Sequence, residues 1–314
     1  MTRGGTLTAE VTTSDSAALP MRVRSPWLFL AIGAASALVG LLPWLMTGAH
    51  MPMQNLWAFQ PTDLPVVLLP FSQYAVDLIF ALLIVGAAAA GIAGRALRAR
   101  DIPLATALLI AGVVVPQLIA TVQTAITVAG SLQDRVESTI YLAGLTGGSV
   151  FTIAVGALVT RLIVRAPRAG ALLGLTVGAI AMRAWIASLI VPFGSASAGI
   201  PDALIVAQWV TPVLVGVAIA WTGINTVGRV ISAVVAVVLA WVAPAAMTGI
   251  GSALGARVYV DHPAEMLDFG LGVFRSALLI PELALRPIIT TVVTAAIGLG
   301  IRLLITRRDA RRDV

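Results

Sequence analysis

The sequence predicts an all-α fold: a polytopic integral membrane bundle of about eight transmembrane helices, with both termini in the cytoplasm. Three observations carry that prediction. The 314 residues are 59% hydrophobic and 11% charged, against about 25% charged in a soluble domain. Apolar runs of about 20 residues recur along the chain, the length a helix needs to cross a bilayer. The arginines between these runs concentrate on alternate loops, the asymmetry that orients a membrane protein.

The elements follow in chain order. Residues 1–25 are polar, rich in Thr and Ser, and read as a disordered cytoplasmic tail. The transmembrane bundle occupies 26–306, with spans near 27–47, 71–94, 103–129, 140–164, 170–192, 203–223, 229–253 and 286–306. Residues 307–314 form a basic cytoplasmic tail. The first run is too long for a signal-peptide core and reads as a retained span. With the N-terminus inside, 15 of the 20 basic residues fall on the cytoplasmic side. They sit at Arg3, Arg22 and Arg24, in 95–101, in 161–168, at Arg229 and from Arg302 onward. Arg135, Arg257, Arg275 and Arg286 fall outside, and Arg183 lies within a span.

The outside loops are the longer ones. The first, 48–70, carries Pro52, Pro61, Pro65 and Pro70, which make it extended or re-entrant. In the last, Pro263 suits the first position of a short helix. The segment LGVFRSALLI at 271–280 predicts a helix lying at the interface. An apolar–Gly step recurs at 85–87, 155–157, 215–217 and 297–299. With 29 glycines in the chain, chance explains this better than four stacked hairpins.

Composition excludes several chemistries. There is no cysteine, hence no disulfide, thiolate catalysis, iron–sulfur cluster or cysteine-held zinc. There is no lysine, hence no P-loop lysine and no Schiff base. No cofactor is implied. The net charge of +6 is spread over loops and does not predict a nucleic-acid partner. The bias to Ala, Gly, Val and Arg fits a GC-rich bacterial genome, which places the bundle in a plasma membrane.

One span carries the main anomaly. Arg183 stands near the middle of 170–192, where a charge costs about 2.5–3.5 kcal/mol on insertion scales. It snorkels, pairs inside the bundle, or anchors an anionic solute. Gly170, Gly174 and Gly178 repeat every four residues and form a face for close helix packing. Arg183 projects from the opposite side of the helix. Its best partner is Asp77, placed on one stripe of span two with Gln73, Ala81 and Ala88. Gln117, Gln123 and Gln208 lie at similar depth in the outer halves of their spans. Pro116, Pro212 and Pro244 interrupt spans three, six and seven. The inner halves are almost entirely aliphatic. These features predict a polar cavity open to the outside over a dry cytoplasmic floor.

The candidate substrate-binding residues are therefore Arg183, Asp77, Gln73, Gln117, Gln123 and Gln208, with no catalytic residue assigned. The function expected is that of a permease or transport-related protein for an anionic or lipid-like solute. Two alternatives stand beside it. One is a non-catalytic subunit that binds a partner membrane protein. The other is an extracytoplasmic enzyme on a lipid-linked substrate, using Asp63 or the Asp261, His262, Glu265, Asp268 cluster. That cluster lacks metal-ligand spacing and reads first as a solvated loop. Membrane lipid is a partner in every case.

Overall fold

In hydrocarbon a helix is the structure that satisfies every backbone polar group within one segment, and the apolar runs take it. The computed structural model describes residues 25–53, 57–58, 63–195, 201–259 and 262–312. Nearly all of the 1–25 tail, Pro61, Asp261 and the side chains of Arg257 and 307–314 lie outside the described residues. The helices are α1 (Trp27–Met46), α2 (Val76–Ala96), α3 (Ala105–Ala129), α4 (Val136–Arg165) and α5 (Arg168–Ile190). They continue with α6 (Asp202–Ala207), α7 (Val210–Thr222), α8 (Val227–Gly255), α9 (Pro263–Leu279) and α10 (Pro281–Arg312). Among the described residues eight segments are long and apolar enough to cross a membrane, α6 and α7 together forming one. The protein is an all-α, multi-pass membrane helix bundle. Prolines mark the starts: Pro26, Pro167 and Pro201 precede α1, α5 and α6, and Pro263 opens α9. There the missing N–H removes no helical bond.

Two ends of the bundle differ. The arginine-rich end holds the α2–α3, α4–α5 and α7–α8 turns. The loop end holds the long connection from α1 to α2 and that from α8 to α9. At the loop end, residues 63–75 form a plug and not a free loop. Val67, Leu69 and Phe71 are fully buried, packed with Leu41, Trp44 and Met51. An extended chain in such a place must find partners for its amides. Leu68 N donates to Gln123 Oε1 at 3.0 Å and Leu69 N to Thr124 Oγ1 at 2.9 Å. Trp44 Nε1 donates to Val67 O at 2.8 Å.

The first four helices and the set α5, α7, α8 and α10 share one packing plan. In the first set α1 packs on α2 and α3, α2 on α3 and α4, and α3 on α4. The second set repeats these pairings in the same order. The match reaches single contacts. Gly156 of α4 faces Ala87 of α2, and one turn on Thr160 Oγ1 donates to Ala87 O at 2.8 Å. Gly298 of α10 faces Ala220 of α7, and one turn on Arg302 Nη1 donates to Ala220 O at 3.4 Å. The glycines of the recurring apolar–Gly step, Gly86, Gly156, Gly216 and Gly298, all stand at helix crossings. α5 joins the halves, packing on α2 and α4 on one side and on α7 and α8 on the other.

The closest crossings are set by glycine. A Cβ on Gly40 would collide with Leu82 O, and one on Gly86 would stand 2.8 Å from Ser36 O. Backbones touch there because neither residue has a side chain, the usual means of tight packing in lipid.

The segment expected to lie flat at the interface does not do so. α9 runs antiparallel along α8. Gly270 seats against Gly249, with a Cβ position 3.2 Å from Gly249 O, and Trp241 Nε1 donates to Leu278 O at 3.3 Å. The paired glycines draw α9 onto α8, where Val273, Phe274, Ala277 and Leu278 are half-buried while Leu267, Phe269, Leu271 and Leu279 stay exposed.

Candidate functional site

A cavity of about 610 Å³ lies between α2 and the second half. Its walls come from α2, α5, the α6–α7 break, α8, α9 and α10. The polar groups are Asp77, Arg183, Gln208, Thr211, Thr248 and Arg286. The apolar walls include Phe80, Trp209 and Trp241. Asp77, Arg183, Gln208 and Arg286 are all exposed, so the space is open to its surroundings.

Depth follows from helix rise, about 1.5 Å per residue. Counted from the arginine-rich end, Arg183 stands about 22 Å along α5 and Asp77 about 28 Å along α2. Trp241 stands about 21 Å along α8. The cavity therefore occupies the half toward the loop end. Toward the arginine-rich end it is closed by an apolar cluster in which Leu172, Val215 and Ala236 are fully buried.

Proline shapes the walls. Pro212 stands in the first turn of α7 and Pro244 and Pro287 lie inside α8 and α10, and all three line the cavity. Pro212 and Pro244 have no N–H to offer the carbonyls of Gln208 and Ala240, which belong to the same lining. Thr211 Oγ1 donates to Ala179 O at 2.9 Å and ties α7 to α5 beneath the space. Gln208 Nε2 turns back to Ile205 O at 2.7 Å, leaving its Oε1 toward other partners.

The structure separates the residues that the sequence grouped. Asp77, Arg183 and Gln208 share the cavity. Gln117 and Gln123 do not line it, and both serve the first half. Gln117 is fully buried and donates through Nε2 to Leu83 O at 2.8 Å, joining α3 to α2. Gln123 holds the plug, accepting from Leu68 N and donating to Val66 O at 2.9 Å. Gln73 lies in the turn before α2, not on its helical stripe, and is also outside the lining. Helical spacing cannot place a residue that precedes the helix.

Arg183 and Asp77 line one space, but no ion pair joins them. Among the described residues the one ion pair is Arg100 with Asp101, at 3.3 Å. Register explains the gap. α2 and α5 meet where the Cβ position of Gly178 stands 2.7 Å from Ala88 Cβ. From that contact Asp77 is about 16 Å up one helix and Arg183 about 8 Å up the other. The two charges are thus offset by roughly 9 Å along the axes. The rest of that glycine face packs on or beside α4. The Cβ position of Gly174 is 2.9 Å from Ile163 Cγ1, and that of Gly170 is 2.7 Å from Ala166 Cβ.

Sequence reasoning missed Arg286, read as an outside loop residue, and the two tryptophans. A signal for Arg286 was present. It precedes Pro287 and follows Pro281 in an otherwise apolar stretch, the pattern of an interrupted helix beside a polar space. The alternative acidic sites stand apart: Asp63, Glu265 and Asp268 are exposed and do not line the cavity. Comparison of the chain with protein-family models, curated proteins and solved structures finds no match.

Proposed function

We propose that the protein is a plasma-membrane, transport-related protein that takes an anionic amphiphile into this cavity from the outer side. The observation that carries the reading is the charge set. Two guanidinium groups, Arg183 and Arg286, face one carboxylate, Asp77, in a space walled by Phe80, Trp209 and Trp241. Arginine is suited to carboxylate and phosphate because its planar fork donates in pairs. The aromatic walls accept an apolar tail. The positive-inside bias supports an orientation with the cavity's open half outside the cell. The broken α6–α7 span beside it is of the kind that lines solute sites in transporters.

The test uses full-length protein in proteoliposomes and a dansylated undecanoate as probe, with the matching alcohol as neutral control. The carboxylate binds and the alcohol does not. Arg183→Gln and Arg286→Gln each weaken carboxylate binding and stop its translocation, while the protein still inserts and stays monodisperse. Equal binding of acid and alcohol, or unchanged binding in both variants, overturns the reading.

A further inference from the structure

We infer that a second site, at the arginine-rich end, holds an anionic phospholipid from the inner leaflet. It is separate from the cavity. A groove of about 350 Å³ runs between α7 and α10, lined by Val217, Trp221, Gly298, Ile301, Arg302 and Ile305 among others. Its lining is aliphatic apart from Trp221, Thr306 and one cation, Arg302. Arg302 Nη1 donates to Trp221 O at 3.3 Å and to Ala220 O at 3.4 Å, leaving the rest of the guanidinium for a ligand. Trp221 also carries two more arginines from the other side of the bundle. Arg95 Cζ lies 5.0 Å from its ring centroid and Arg168 Cζ 5.9 Å. Among the described residues none of these three arginines pairs with a carboxylate. Arg95 is already held, its Nη1 donating to Ile163 O at 2.6 Å and to Ala166 O at 3.1 Å, so Arg168 over the indole and Arg302 beside it are the cations left for a phosphate.

The shared packing plan says what kind of occupant fits. The groove between α7 and α10 corresponds to the one between α2 and α4, where α5 sits with Gly174 and Gly178 against Val159, Ile163 and Ala88. A helix docks closely in lipid through small residues. By the register that pairs Ala87 with Ala220 and Gly156 with Gly298, the second groove presents Trp221, Ile301 and Ile305 at the matching place, and the indole standing where Ala88 has a methyl bars a backbone but admits an acyl chain. An apolar slot with a basic mouth at the cytoplasmic face is the arrangement that binds anionic headgroups.

The experiment measures the melting temperature of delipidated full-length protein in mild detergent. It compares phosphatidylglycerol, phosphatidylcholine with the same chains, and glycerol 3-phosphate. Phosphatidylglycerol raises the melting temperature, phosphatidylcholine raises it much less, and glycerol 3-phosphate leaves it unchanged. The preference disappears in Arg168→Gln/Arg302→Gln. It also disappears in Ile301→Trp, which fills the slot and keeps every arginine. Both variants must melt like the parent in phosphatidylcholine, which shows that they fold. Equal shifts from both lipids, or a preference that survives Ile301→Trp, overturn the inference. A full shift from glycerol 3-phosphate also overturns it, because the ligand is then a free anion. Because the chain has no native cysteine, Ile301→Cys tests the remaining occupant. A disulfide-linked dimer in native membranes would show a second copy in the groove and likewise overturn the lipid assignment.

Discussion

Neutralising Asp77 separates a ligand site from a buried ion pair. In the proposed site, Asp77 opposes the anion that Arg183 attracts. The two residues are offset by roughly 9 Å along the helix axes. An anion held by Arg183 therefore feels the carboxylate at a comparable distance. Coulomb's law gives about 0.5 kcal/mol at that separation in water and about 1.8 kcal/mol at an effective dielectric of 20. Asp77→Asn should then tighten binding of the carboxylate probe by about 2- to 20-fold. Arg183→Gln removes a charge-assisted hydrogen bond worth about 1.5–3 kcal/mol and should weaken binding by about 10- to 150-fold. The opposite signs are the point. If the arginine instead existed to be paired by Asp77, removing either partner would leave an uncompensated charge. Both variants would then lose stability and binding together. Fluorescence titration of the dansyl probe on both proteins, with melting curves alongside, decides the matter. Weakened binding in Asp77→Asn refutes the argument.

Further predictions concern the frame around the site. Gln123→Ala with Thr124→Val strips two amides of the plug of their acceptors, each worth about 1–3 kcal/mol. The double variant should melt lower and become protease-sensitive within 63–75, with probe binding unchanged because neither residue lines the cavity. Gly86→Leu should prevent assembly, seen as loss of monodisperse protein, since its side chain meets the α1 backbone at Ser36. Gly144→Ala on α4, where nothing lies within 4 Å of the added Cβ, should be neutral or stabilising by up to about 1 kcal/mol in melting experiments. Single cysteines give the accessibility map. Gln208→Cys and Arg286→Cys should react with an impermeant maleimide added outside intact cells, while Val215→Cys in the closed floor should not.

Much of the fold was legible because membrane helices obey a length rule and a charge rule. A run of about 20 apolar residues has one stable form in hydrocarbon. The glycine repeat of span five also announced a packing surface, since spacing of four marks one side of a helix. The candidate site was only half legible. Asp77, Arg183 and Gln208 share a depth and also a space. Gln117 and Gln123 share the depth but not the space, because they lie on α3, in the half that the plug of 63–75 closes. Sequence gives each residue a height along its own span. It does not give the neighbour on the other side.

By itself, then, the sequence determined that this chain is a helical membrane bundle, and that its polar residues concentrate toward one end. Those are properties of single segments, decided by composition and period. The tertiary structure alone decided the pairing of α2 with α4 and of α7 with α10, the repetition of one packing plan, and the entry of Arg286 into the cavity. It also decided that Arg183 and Asp77 face one space without touching. The reason is the contact of Gly178 with Ala88, which sets the register between α5 and α2. A register is a relation between two helices, and neither helix's own sequence contains it.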